Sequence, residues 1–354
     1  MNLERVEKIA ESVLYEGYML YPYRISSLKN RQRWNFGVLY PPSYCEWQSG
    51  SEASRIQTEC LVKTTPRTRI TVKARFLQIV KRSVGKLLNP GGDEVEGVEP
   101  EFSLVDRLEV GDRVHQPWQE ACERELSYAE LDLAVLSSPT TRTFVFPEEM
   151  RFEYLSDEKG QAVGVIVREW EELNGSVDIQ SETLRDGVFK FTVRVHNRKS
   201  FDHRPSGEPN DRETALLHSM ASAHTILGIE DGEFISMLDP VAAVADLTAR
   251  CENIGTWPVL AGEGNEAILS SPIILYDHPQ IAPESAGNLF DSTEIDEILS
   301  LRILTLTDEE KREVRQSDDR AREILDRTEN MPEEHIMKLH GVLRGLRPLK
   351  EELQ

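Results

Sequence analysis

The chain is short of cysteine, of long apolar runs and of positive charge. Four cysteines (Cys45, Cys60, Cys122 and Cys251) are spread over 354 residues, and no CxxC pair occurs. That spacing fits a reducing cytoplasm and excludes both a disulfide scaffold and a zinc ribbon. No stretch approaches the roughly 18 apolar residues of a membrane-spanning helix, so membrane insertion is not expected. The opening MNLERVEKIAESVLYEGY is charged and periodic, unlike the apolar region of a secretory signal. Lysine and arginine number 41 against 62 acidic residues, a net charge of -21. Free nucleic acid is therefore a poor partner for the whole chain, because phosphate binding needs a basic surface. No repeat period is present. What remains, 39% hydrophobic and 29% charged residues, is enough for a folded core.

The charge is uneven. Residues 1–91 carry a net +8, residues 92–133 a net -10, and residues 134–354 a net -19. A basic N-terminal face can dock on the acidic remainder of its own chain or meet an acidic partner, since opposite fields attract in either setting. Arg24, Lys29, Arg31, Arg33 and Trp34 mix cations with an aromatic ring but match no RNA-binding motif.

Leu3, Val6, Ile9, Ala10, Val13 and Leu14 recur at helical spacing, which predicts an amphipathic helix over 2–20. The aromatic stretch that follows reads as an ordered loop with a short strand around Trp34–Leu39. Residues 57–82 are rich in β-branched and aromatic residues and read as strands. The run NPGGDEVEGVEPE reads as an exposed linker. Strand signals return over 144–200. Two alternating runs around Arg185-Asp186-Gly187 predict a hairpin, because Asp-Gly supplies the positive φ of a tight turn. Helices are expected over 211–228, 239–251, 291–306, 307–328 and from Met331 to about Leu343, from capping residues and 3.6-residue spacing. Two short strands interrupt them, at TWPVLAG and AILSSPIILYDHP. Strands precede helices, which predicts an α+β fold: antiparallel β-rich N-terminal and central parts, then a mainly helical C-terminal part. The segments are 1–91 (basic helix plus strands), 92–143 (acidic loop and connection), 144–206 (hairpin-rich) and 207–354 (mainly helical).

Catalytic motifs are missing. There is no GxSxG elbow, and AGEGNEA lacks the rest of a phosphate-binding loop. No catalytic residue is assigned. His218, His224 and Cys251 are the candidate metal ligands. On one helix, however, two histidines six residues apart point about 240° away from each other. A metal ion is the one cofactor left open. His196, Asp202 and His203 lie close together, and Asp202-His203 is a possible acid–base pair. Asp277, His278, Glu284, Asp291, Glu294, Asp296 and Glu297 crowd one short region. Helix capping accounts for Asp291 and Glu294, while Asp277 and Glu284 sit in a proline-containing loop, where functional side chains often lie.

Residues 271–315, SPIILYDHPQIAPESAGNLFDSTEIDEILSLRILTLTDEEKREVR, resemble an uncharacterised family of bacterial proteins. Its members are encoded beside [NiFe] uptake hydrogenases, especially the high-affinity, oxygen-tolerant kind. YPYRISSLKNRQRWNFG, LHSMASAHTIL and SMLDPVAAVADLTARCENIGTWPVLAGE are similar to that family as well. One departure is His278, where the family pattern has an aromatic tyrosine. The resemblance implies a cytoplasmic accessory protein acting in hydrogenase assembly, maturation or stabilisation. Its partner would be a hydrogenase subunit or assembly intermediate. The partner-binding residues expected for that role are Arg24, Arg31, Arg33, Trp34, Glu284 and Phe290, since Trp, Tyr and Arg dominate interface hot spots. A metal carrier or metalloenzyme and a scaffold component, as a homo-oligomer, are the alternatives.

Overall fold

The computed structural model describes residues 3–15, 36–90, 99–111, 113–202 and 211–280, with isolated positions between 306 and 330. The chain forms two compact units, Met1–Leu20 with Gln32–Gln280, and Tyr21–Arg31 with Ile281–Gln354. In the second, Leu325 is buried and Lys311 lies 2.9 Å from Glu329.

The first unit is a large antiparallel sheet organised on one strand. The strand, β1 (Arg55–Leu87), spans 33 residues. Its first third pairs with β10 (Val188–Asn197), its middle with β5 (Trp118–Leu131) and β11 (Met220–Ile235), and its end with β8 (Ala162–Trp170) and β2 (Phe102–Leu104). The main strand order is β12 (Trp257–Ala261), β13 (Ala267–Ser271), β11, β1, β10, β9 (Leu173–Arg185), β6 (Thr140–Phe146). Strand β7 (Glu149–Ser156) adds to β8, and β3 (Leu108–Val110) pairs with β4 (Arg113–His115) as a separate ribbon.

Pro66 stands inside this strand. It sits where the β1–β11 register breaks, between Thr64 and Arg69, so its missing N–H costs no ladder bond. Thr65 and Thr68 donate their hydroxyls to the Asp231 carbonyl and hold the bulge. A second bulge faces Phe76, where Ser222 takes a φ of 53°. Such bulges bend and twist a strand.

The even positions of β1, among them Ile56, Cys60, Val62, Ile70, Val72 and Phe76, share one core with Val177, Ile179, Phe191, Val193, Leu227 and Ile268. The Phe76 ring lies 6.0 Å from both Phe144 and Phe146 of β6, and the Arg124 guanidinium lies 4.5 Å over Phe146. The end strand of the main order thus packs on β1 and β5 through side chains. Thr58, Thr225, Thr256 and Ser270 form a buried hydroxyl cluster, with Thr58 donating to Ser270 at 2.8 Å and Ser270 to Thr256 at 2.9 Å. Each hydroxyl there replaces the water it gave up on burial.

Helix α1 (Glu4–Tyr15) forms as its spacing predicts. It lays Val6, Ile9, Ala10 and Val13 on Ile226, Val259, Ala261 and Leu269. Burying each such side chain contributes about 1.5–3 kcal/mol. Glu7 meets Lys73 at 2.6 Å, and Ser222 donates to the Val13 carbonyl. A short helix, α2 (Pro42–Trp47), follows Leu39, which makes two isolated bridges, to Met220 and to Ala53, rather than a strand.

The α+β expectation is overturned. The predicted helix over 211–228 ends at Leu217, as α3 (Asp211–Leu217), and Met220 onward is β11. Residues 220–229 are buried on both faces. A strand covered on both faces reads as a continuous apolar run, and periodicity does not separate it from a buried helix. The helix expected over 239–251 shrinks to α4 (Ala245–Thr248). Up to Gln280 the supposed helical part is two short helices beside three strands, and among the described residues the fold is mainly β. The helices expected from 291 onward fall almost entirely outside the described residues. No helix among the described residues is long and apolar enough to cross a membrane.

Gly175 tests the packing. A Cβ there would lie 2.4 Å from the His196 carbonyl oxygen and 2.5 Å from Phe144. A backbone oxygen held in the ladder has little room to yield, so Gly175→Ala is expected to cost at least about 2 kcal/mol. Urea unfolding checks this, and an unchanged midpoint contradicts the packing.

Candidate functional site

Arg24, Arg31, Arg33, Trp34, Glu284 and Phe290 lie outside the described residues, as does Asp291. The candidate metal ligands are described and stand in three different settings. His218 follows α3 with its ring 5.2 Å from that of Phe201. His224 lies in β11 opposite Arg75 and is fully buried. Cys251 packs against Leu61, Val188, Val244 and Leu247, and donates its thiol to the Leu247 carbonyl. Among the described residues no group of three His, Cys, Asp or Glu side chains is placed to hold a metal ion. Burial pushes the Cys251 thiol up to about 11 and His224 down to about 4. His224 Nδ1 lies 2.9 Å from the Ser222 carbonyl, which only accepts, so Nδ1 carries the proton. Its buried Nε2 has no partner among the described residues. Asp277, singled out from the acidic cluster, accepts from the Leu260 N–H and from the Ser236 hydroxyl, and so pins two loops.

A polar constellation lies on the outward-turned face of β1, β10, β9 and β6. The β9–β10 hairpin closes at Asp186-Gly187, and one bulge between Val188 and Phe189 shifts its register. Without that bulge His196 would face Val177, a core residue. With it, His196 faces Ser176, and Arg194 faces Asp178. A one-residue slip exchanges the two faces of a strand, so the bulge decides what surrounds His196. His196 Nε2 lies 3.0 Å from Asp178 Oδ2, and Thr141 of β6 donates to Asp178 Oδ1 at 2.8 Å. The carboxylate beside His196 therefore comes from the neighbouring strand. Asp202 is exposed, and His203 lies outside the described residues.

Three guanidinium groups border the pair. Arg55 of β1 stands directly opposite His196, and Arg194 in β10 and Arg198 just past its end flank it at two-residue intervals. Arg194 donates its Nε to Gln57, and Arg198 its Nε to Ser176. Among the described residues none of the three has a carboxylate partner. Elsewhere on the sheet Lys73, Arg75, Arg82 and Arg168 are matched to Glu125, Glu123, Glu120 and Glu153. Beside the patch, Glu59 is engaged by Thr192, by the Glu252 N–H and by Lys190 at 3.7 Å. Burial and then Arg198 hold His196 below its usual range, against the pull of Asp178. At neutral pH the face therefore presents three arginines, a neutral imidazole and one already hydrogen-bonded aspartate.

An open cleft of about 470 Å³ lies between α1 and the sheet, lined by Glu4, Glu7, Arg69, Thr71, Lys73 and Glu130 among others. Its cations are taken, Arg69 by Asp132 and Lys73 by Glu7 and Glu125.

No protein-family model matches the chain, and no curated protein matches it.

Two outcomes check the histidine geometry. Asp178→Asn removes the group that raises the His196 pKa, so by NMR titration that pKa falls further. An unchanged value contradicts the pairing. For His224, the unfolded chain takes up its proton near pH 6.5 and the folded chain near 4. Stability therefore falls as the pH drops through that window, by about 3 kcal/mol from this group, and levels off below it. His224→Gln loses that part of the pH dependence in urea titrations at pH 7 and pH 4. A variant as acid-sensitive as the parent contradicts the burial.

Proposed function

We propose that the protein is a cytoplasmic accessory factor that binds another protein through the outer face of β1, β10, β9 and β6. The observation that carries this reading is the set of arginines at 55, 194 and 198, exposed or half-exposed on one sheet face and without a carboxylate partner among the described residues. Arginine gives directional, bidentate recognition and is enriched at interface hot spots. An antiparallel sheet beneath holds its alternate side chains at fixed spacing, which suits a binding surface.

The resemblance to proteins encoded beside [NiFe] uptake hydrogenases supports the choice of partner: a hydrogenase subunit or an assembly intermediate. The role is then escort or stabilisation during maturation. This keeps the partner expected from the sequence and moves the contact surface to residues inside the sheet.

Tagged protein purified from a host that expresses the hydrogenase is expected to bring down a hydrogenase component. Arg55→Gln/Arg194→Gln/Arg198→Gln, still folded by circular dichroism, is expected to recover at least about tenfold less of it, since hot-spot truncations cost 2 kcal/mol or more. Recovery of no hydrogenase component by the parent protein would sink the partner assignment. Equal recovery by parent and variant would sink the surface assignment.

A further inference from the structure

We propose that the face bearing Arg55, Arg194 and Arg198 binds an extended acidic segment of the partner protein, whose carboxylates alternate along its strand. This rests on the protein-binding reading and names the chemistry of the segment that is recognised. Charge complementarity carries it. Arg194, His196 and Arg198 occupy every second position of one chain direction, with Arg55 opposite His196 on the adjacent strand. Same-side residues of an extended strand lie about 6.6 Å apart. An extended peptide with acidic residues at i, i+2 and i+4 repeats that interval. Its outer carboxylates meet Arg194 and Arg198, and its middle one meets Arg55.

The carboxylates near this face are already engaged. Asp178 holds Thr141 and lies against His196, Glu172 pairs with Lys199 at 3.0 Å, and Glu59 binds the Glu252 N–H. A guanidinium presents a planar fork that matches a carboxylate with two parallel bonds. Arg198 donates its Nε to Ser176, and among the described residues its Nη groups have no partner and are open to such a fork. The net charge of -21 repels an acidic peptide only at long range. At physiological ionic strength the screening length is about 8 Å, so the arginines in contact decide the binding.

The experiment uses the full chain and a fluorescein-labelled peptide with aspartate at three alternate positions, read by anisotropy at low and physiological salt. Comparison peptides carry the same aspartates in one contiguous block, or asparagine in their place. The alternating peptide is expected to bind most tightly. Arg55→Gln/Arg194→Gln/Arg198→Gln is expected to weaken it about tenfold or more. Arg107→Gln, which removes an exposed arginine already paired with Glu109, leaves it unchanged. Arg198→Gln alone, an exposed change that leaves the core intact, is expected to weaken it two- to threefold.

Equal affinity for the asparagine peptide, or no loss in the triple variant, overturns the proposal. Full displacement of the peptide by millimolar inorganic phosphate also overturns it, because the site is then a phosphate site. The two readings fail separately. Peptide binding that depends on the arginines, with no hydrogenase component recovered from the host, leaves the acidic-segment site standing and removes the partner. A recovered hydrogenase component with no peptide binding does the reverse.

Discussion

A strand of 33 residues carries a donor and an acceptor at almost every position, and each must find a partner or face water. No single neighbour among the described strands is long enough to supply them. β1 therefore takes five partners in succession, and their order along it sets the layout of the sheet. The bulge around Pro66 lies in β1 and the one opposite Phe76 lies in β11; each bends and twists the strand that carries it, and in the resulting curl the Phe76 ring meets Phe144 of β6 at 6.0 Å. The curl in turn gives the sheet one face for the shared core and another that is free to carry α1 in one place and a polar constellation in another.

Ion pairs are distributed according to that curl. Where β1 faces β5, cations on one strand meet glutamates on the other, as in Arg75 with Glu123 and Lys73 with Glu125. Such pairs at a partly exposed sheet surface add little each, typically up to about 1 kcal/mol, but they neutralise the local field. Where β1 faces β10 the pattern changes. Gln57 and Glu59 are spent on clamping the segment from Glu252 to Ile254, and Arg55 meets a histidine rather than an acid. That these cations have no carboxylate partner among the described residues follows from which residues the register places across from one another.

Some of this was legible in the sequence. The apolar spacing from Val6 to Leu14 specified α1, and Asp186-Gly187 marked the hairpin whose alternation put Arg194 and His196 on its wet side. The helical C-terminal part was a misreading with a physical cause. LHSMASAHTILG has helix-forming residues and a capping aspartate upstream, but tertiary burial on both faces makes it a strand, and local propensity is a weak prior against that. For the site, His196 was visible and its partner was not. Asp178 reaches it only because a single bulge shifts the hairpin, and no turn dipeptide announces that shift. Arg55 is more remote still, since its place opposite His196 depends on pairing across more than a hundred residues of chain. His218, His224 and Cys251 looked like a set because they share a stretch of sequence, and the alternation of strand and helix there separates them.

The claim on which the rest depends is that β1 holds the sheet together as one cooperative element. Native-state hydrogen exchange read by mass spectrometry tests it most directly. The account predicts that amides of residues 56–62 and 70–80 are the last to exchange, together with their partners in β10 and β11, in a single global opening. Exchange of either half of β1 well before the other, at a lower opening free energy, would contradict it.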